Sequence, residues 1–179
     1  MIVNSLAHWL YTKTGSKNFC LAGGVAMNCV MNGNLSKKSF VEDIFVQPAA
    51  SDNGVSLGAA QLLTAQEGVN PNYKMEHLYW GPEFSENEIV SALNEAKISY
   101  RKGENICHEV AKKISEGKII GWFQGRMEVG ARALGNRSIL ASPLIKDMKT
   151  KINLEVKHRE NWRPFCPSMK EEVYGKYIN

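Results

Sequence analysis

Between Gly121 and Ser138 the chain reads GWFQGRMEVGARALGNRS, with glycines at 125, 130 and 135 and arginines close behind at 126, 132 and 137. A solvated helical face would not use so many glycines, each costing about 1 kcal/mol relative to alanine. It would also favour lysine. Glycine-rich backbone interleaved with the guanidinium groups of Arg126, Arg132 and Arg137 is what a multi-oxygen anion requires. Lys157, Arg159 and Arg163 extend the cationic set. Residues 118–165 hold ten basic and four acidic groups, a net of +6, whereas residues 1–70 balance four lysines against four acids. Five of the six arginines fall between Arg126 and Arg163. Charge so concentrated calls for an anionic partner.

Two further places could do chemistry. The pair Gly23-Gly24 lies between an apolar strand, NFCL, and a following helix, where free N–H groups and a positive dipole end suit a phosphate or a nucleotide sugar. It matches neither glycine-rich nucleotide fingerprint. Taken alone, a tight strand-to-helix turn is the plainer reading. The run Ala50-Ser51-Asp52-Asn53-Gly54 stands at a strand's carboxyl end, the edge where open α/β sheets bind ligands. Asp52 there could bind a metal or orient a nucleotide, although capping of the next helix by Ser51 or Asp52 is the simpler expectation. The four histidines (His8, His77, His108, His158) are too scattered for a ligand pair, with His8 and His108 expected on helix surfaces. The cysteines at 20, 29, 107 and 166 form no CxxC pair and read as buried or semi-buried thiols in a reducing compartment.

These residues need elements to hold them. With 179 residues, 44% hydrophobic and 22% charged, the chain has the composition of a folded globular protein of one generous domain or parts of two. No run approaches the ~20 apolar residues of a membrane span. The N-terminus lacks a basic leader and an extended apolar core, so a cytoplasmic protein without a membrane partner is expected. Ile2, Val3, Leu6, Trp9 and Leu10 predict an amphipathic helix over 2–13. A strand at NFCLAGG, a helix at VAMNCVMNGNL, a strand at VEDIFVQPAA and a helix over 51–68 closed by Gly68 follow, half of an α/β layer fold. Residues 69–85 read as linker. Ser85 and Glu88 form a capping-box pair opening a helix to about Ala96. Ile98–Tyr100 reads as a strand, 106–116 as a helix ended by Gly117, KIIGWFQG and SILASP as strands, DMKTKINLEVK as a helix, and NWRPFCPSM as an extended loop.

Four blocks together, LAGGVAMN (21–28), QPAASDNGVSLGAA (47–60), GWFQGRMEVGARALGNRSILASP (121–143) and VKHRENWRPFCPSM (156–169), resemble the nodulation-type O-carbamoyltransferases. The blocks occur in that family's order and are spread over residues 21–169. The resemblance implies that residues 1–70 are the last part of an actin/RNase-H-like carbamoyl-transfer domain, 71–103 a linker, and 104–179 the truncated start of a YrdC-like domain. The latter would form carbamoyl-adenylate from ATP and carbamoyl phosphate with release of pyrophosphate; the former would pass the carbamoyl group to the hydroxyl of a small-molecule or oligosaccharide acceptor. Gly23, Gly24 and Asn28 would match the nucleotide-contacting loop. Asp52 would match a metal-binding aspartate, for iron(II) or magnesium, and Arg126, Arg132, Arg137 and Arg163 would lie in the anion site with Lys157 and Arg159 beside them. The full-length enzyme would be a homodimer.

Two departures from the family pattern stand out. Val129 and Ala131 occupy positions where the family usually reads phenylalanine and proline. The family's metal-binding histidine motif is absent, and a lone Asp52 holds a metal weakly. The chain is therefore expected to be a fragment that binds an anion at most. A nucleic-acid-binding module is the rival from another class, since clustered arginines with Trp122, Phe123 and Trp162 could clamp phosphates and stack bases. The basic groups cluster among glycines, not along one face, which disfavours that rival. Threonylcarbamoylation of tRNA is the second rival, because its enzymes share both domains.

Overall fold

The first helix, α1 (Ile2–Thr14), buries Ala7 fully and Val3 and Tyr11 partly, one row at i, i+4, i+8 spacing. That row packs on Phe19, Leu35, Phe40, Val41 and Ile44. The helix therefore forms where its periodicity predicts, but on a different face. Ile2, Leu6, Trp9 and Leu10 remain exposed, because Phe40 stacks on Tyr11 at 5.6 Å and meets Phe19 edge-on at 6.2 Å on the other side. Leu35 is completely buried, and such a side chain contributes about 1.5–3 kcal/mol.

The structure is a computed structural model and describes residues 2–70 and 75–177. Among the described residues it is a mixed α/β chain with two two-stranded sheets. It divides into two compact units, Met1–Glu83 with Arg126–Leu134, and Phe84–Gly125 with Gly135–Asn179. No helix among the described residues is long and apolar enough to cross a membrane.

In the first unit, β1 (Asn18–Leu21) pairs in parallel with β2 (Asp43–Val46), Phe19 opposite Ile44. Parallel strands need a crossover. It is made by a 3₁₀ turn, Gly24–Met27, and α2 (Cys29–Ser36), whose Met31 and Leu35 face inward. The predicted continuous helix from Val25 is thus corrected. Asn28 is extended (φ −81°, ψ 95°) and its Oδ1 accepts the Met31 N–H at 3.0 Å, so α2 starts anew behind an Asn cap. After β2, a 3₁₀ turn at Asp52–Gly54 leads into α3 (Val55–Gln66). The N-cap position of α3 is Gly54, which has no side chain, and Ser51 makes no side-chain cap bond to the 3₁₀ turn, so the expected capping of the helix by Ser51 or Asp52 is corrected. Gly68, at φ +79°, does close α3: its N–H reaches Ala65 O and that of Val69 reaches Thr64 O.

The second unit holds α4 (Glu86–Glu95), α5 (Ile106–Ser115), the antiparallel pair β3 (Ile120–Phe123) and β4 (Arg137–Leu140), and two short helices, α6 (Met148–Lys151) and α7 (Tyr174–Tyr177). Ile98–Tyr100 is not a strand. Lys97 turns left-handed (φ 55°) and Ile98 N–H closes back on Leu93 O, consuming backbone a ladder would use. DMKTKINLEVK is α-helical only to Lys151; Ile152–Val156 continues as a π turn, with Lys157 N–H on Ile152 O at 2.9 Å. All four cysteines are exposed, contrary to expectation, because each falls on an outward position. On β1, for instance, Phe19 takes the buried side and Cys20 the other.

The capping box at α4 is complete: Ser85 Oγ accepts Glu88 N–H, and Glu88 accepts from Ser85 N–H at 2.8 Å and its hydroxyl at 2.7 Å. Those bonds hold the Glu88 carboxyl below its ordinary value. A lowered native pKa contributes stability that is present above the ordinary glutamate range and is lost as pH falls through the native value. Ser85→Ala is therefore expected to lower the thermal midpoint at neutral pH and to flatten the acid limb of stability. Melts across the acid range would read both; an unchanged acid limb would contradict the assignment.

Candidate anion site

Six of the ten predicted residues lie in the first unit. Three separate motifs meet there. Gly23 N–H donates to Ala50 O at 2.6 Å, joining the first glycine loop to the turn after β2. Gly24 borders Ser51, whose Oγ would lie 3.8 Å from a side chain at that glycine. Arg132 Nη2 donates to Met27 O at 3.1 Å, which fastens the third motif above the same loop. Gly130 (φ +106°) seats against Pro48, where a Cβ would stand 3.1 Å from the Pro48 carbonyl oxygen. Gly23, Gly24 and Arg132 are thus tied to one another through the 23–27 loop and the 50–51 turn, with Asn28 next to Met27 and Asp52 next to Ser51 in the chain.

Arg126 is placed differently. Its Nε and Nη2 donate to Gly81 O and Trp80 O, at 3.2 and 3.3 Å, alongside backbone bonds between Gly81, Pro82 and Met127. It braces the 78–82 segment.

In the second unit, Arg137 forks onto Gln124 O (2.7 Å), Gly125 O (3.2 Å) and Asn136 O (2.9 Å), with its guanidinium carbon 3.5 Å over Phe123. It rivets the ends of β3 and β4. Lys157, Arg159 and Arg163 sit on the loop after the π turn. Arg163 pairs with Glu160 at 2.7 Å, and its hydrogen bond holds that carboxyl below the ordinary range. Both partners are about half exposed (46% and 53%), so an incoming anion displaces the pair at little cost. Arg159 lies over Phe165 at 4.9 Å. A groove of about 630 Å³ in this unit, lined by Phe84, Ile89, Leu93, Ile98 and Phe123, contains none of the predicted residues.

Two polar residues that the sequence reading passed over prove central. Glu128 is 6% exposed and accepts the Leu134 N–H at 2.7 Å, closing the Arg132 loop from inside. Asn153 is fully buried. A clue to Asn153 was present: asparagine is a poor interior helix residue, yet it stands mid-way in DMKTKINLEVK.

Asp52 is exposed, and no group of three His, Cys, Asp or Glu side chains that could hold a metal occurs among the described residues. The donors present do not fit a metal by themselves. A metal at Asp52 would need ligands from outside this chain.

A family model described as Carbamoyltransferase N-terminus matches residues 1–61, and one described as Carbamoyltransferase C-terminus matches residues 111–179. The chain belongs to the carbamoyltransferase family. Among its relatives, nodulation protein NolNO of Sinorhizobium fredii is 45% identical over 92% of this chain, and nodulation protein NolO of Bradyrhizobium diazoefficiens 44% identical over 92%. An uncharacterised protein of Synechocystis is 41% identical over 99%. The chain spans 25%, 31% and 30% of those three relatives' lengths, respectively.

Proposed function

We propose that this chain is the donor-binding part of an O-carbamoyltransferase that makes carbamoyl-adenylate from ATP and carbamoyl phosphate and passes the carbamoyl group to an acceptor hydroxyl on a small molecule or an oligosaccharide. Family membership supports the carbamoyl chemistry. The observation that carries the anion site is the tying of Gly23-Gly24, the 50–51 turn and Arg132 to one another. Both substrates are polyanions, and a guanidinium held in place, as Arg132 is by Met27 O, lowers the cost of orienting one. Because carbamoyl phosphate carries a phosphate of its own, the balance requires one water: its hydrolysis gives carbamate and inorganic phosphate, and a carbamate oxygen then displaces pyrophosphate from ATP to give carbamoyl-adenylate. The parallel β1–β2 pair with its helical crossover supports reading residues 1–70 as the end of an actin/RNase-H-like domain, with 104–179 as the start of a YrdC-like one. Gly23, Gly24 and Asn28 then face the nucleotide, and a homodimer is the proposed assembly.

Equilibrium titration with carbamoyl phosphate tests the reading. Arg132→Ala is expected to weaken binding about 10–100-fold, the worth of one charge-assisted hydrogen-bonding group at roughly 1.5–3 kcal/mol. Equal affinity in the two proteins would remove Arg132 from the site.

A further inference from the structure

Asn153 uses every polar atom of its side chain. Its Oδ1 accepts Arg159 Nε–H at 2.7 Å, and its Nδ2 donates to Arg163 O at 3.0 Å and Asn161 O at 3.3 Å. The orientation of the amide follows from its partners, because a guanidinium only donates and carbonyls only accept. Its backbone oxygen also accepts Arg159 N–H at 2.9 Å. A completely buried amide thus ties down three residues of the basic loop, six to ten positions further along the chain. The supporting backbone is unusual: the π turn at Ile152–Val156 sets Asn153 under the loop, and His158 takes φ 47°, a left-handed conformation that carries the chain back over it. Single π turns inserted in helices frequently mark functional sites.

The consequence falls on Arg159. One face of its guanidinium lies over Phe165 and its Nε is held by Asn153. Its terminal Nη groups have no hydrogen-bond partner among the described residues. A guanidinium fixed at Nε and at one face, with its outer edge open, is preorganised to take two oxygens of a phosphate or carboxylate side by side.

We infer that Asn153 is a positioning residue that holds Arg159, and the Lys157–Arg163 loop with it, in the geometry that receives a phosphate-bearing substrate. This rests on the reading proposed above that the chain takes phosphate-bearing substrates, and concerns the second unit by itself. Asn153 acts through Arg159 and touches no substrate itself.

A double-mutant cycle read by titration with carbamoyl phosphate, and in parallel with inorganic phosphate, separates positioning from mere support. Asn153→Ala and Arg159→Ala are each expected to weaken binding about tenfold, and the double variant to bind no more weakly than Arg159→Ala alone. Losses that multiply, giving about a hundredfold in the double variant, would overturn the inference and leave the anion reading standing. No binding by the unmutated protein would overturn both. Arg159→Lys guards against a folding defect in Asn153→Ala, since its side chain is half-buried at the surface. It keeps the charge but lacks the Nε–H, so it is expected to bind as weakly as Arg159→Ala. Affinity equal to the unmutated protein would show that charge alone suffices and overturn the inference.

Discussion

Gly54→Ala is expected to destabilise the first unit by about 1–3 kcal/mol, the usual range for forcing a methyl group into filled space. A Cβ at Gly54 would stand 2.1 Å from the Ala49 carbonyl oxygen and 3.2 Å from its carbon. Backbone cannot rotate away as a flexible side chain would, so the Pro48–Gly54 turn must open. That turn carries Asp52 and receives the Gly23 N–H at Ala50 O. Anion binding is therefore expected to fall together with stability. Gly58→Ala in α3 is the control, because nothing lies within 4 Å of a Cβ there. It is expected to leave stability unchanged or to raise it by up to about 1 kcal/mol, as alanine replaces glycine within a helix. Urea denaturation of the two variants measures the contrast. Equal midpoints would mean that the turn is not closed by this contact.

Arg137→Lys is expected to cost about 2–3 kcal/mol, although it preserves the charge. The guanidinium joins three carbonyl oxygens and covers the Phe123 ring, bonds that a single ammonium cannot reproduce. Its loss would leave the Gln124–Asn136 crossing, where Gln124 N–H meets Asn136 O at 3.0 Å, without its brace. Denaturant midpoints compared with carbamoyl phosphate affinity distinguish two roles. A brace loses stability on the lysine substitution. An anion ligand would lose affinity out of proportion to any loss of stability, which is the result expected at Arg132, with its single bond to Met27 O, and not at Arg137.

Much of the fold was legible because local chemistry decided it. The Ser85–Glu88 box and the Gly68 and Gly117 helix ends rest on contacts within a few residues, and cap chemistry reports such contacts. The buried face of α1 was not legible. Ile2, Leu6, Trp9 and Leu10 form the stronger apolar stripe, yet Phe40, distant in sequence, selects Val3, Ala7 and Tyr11. The candidate site divides in the same way. Arginines among glycines announce anion chemistry, but which arginine spends its donors on its own backbone depends on carbonyls brought near by folding. Composition could not tell Arg137, saturated by Gln124, Gly125 and Asn136, from Arg159, open at its outer edge. Glu128 and Asn153 were missed for a related reason. A buried polar residue is recognised by its partners, and theirs lie six to ten residues away along irregular backbone.

The proposed function requires this chain to bind the carbamoyl donor. A thermal melt in carbamoyl phosphate, ATP, both together, or an equal concentration of sulfate tests it most directly. A ligand that binds only the native state raises stability by about 2.7 kcal/mol at a hundred times its dissociation constant. The expected result is a cooperative melt whose midpoint rises with carbamoyl phosphate well beyond the sulfate control, with the rise reduced in Arg132→Ala. A cooperative melt that responds no more to carbamoyl phosphate or ATP than to sulfate would contradict the proposed function.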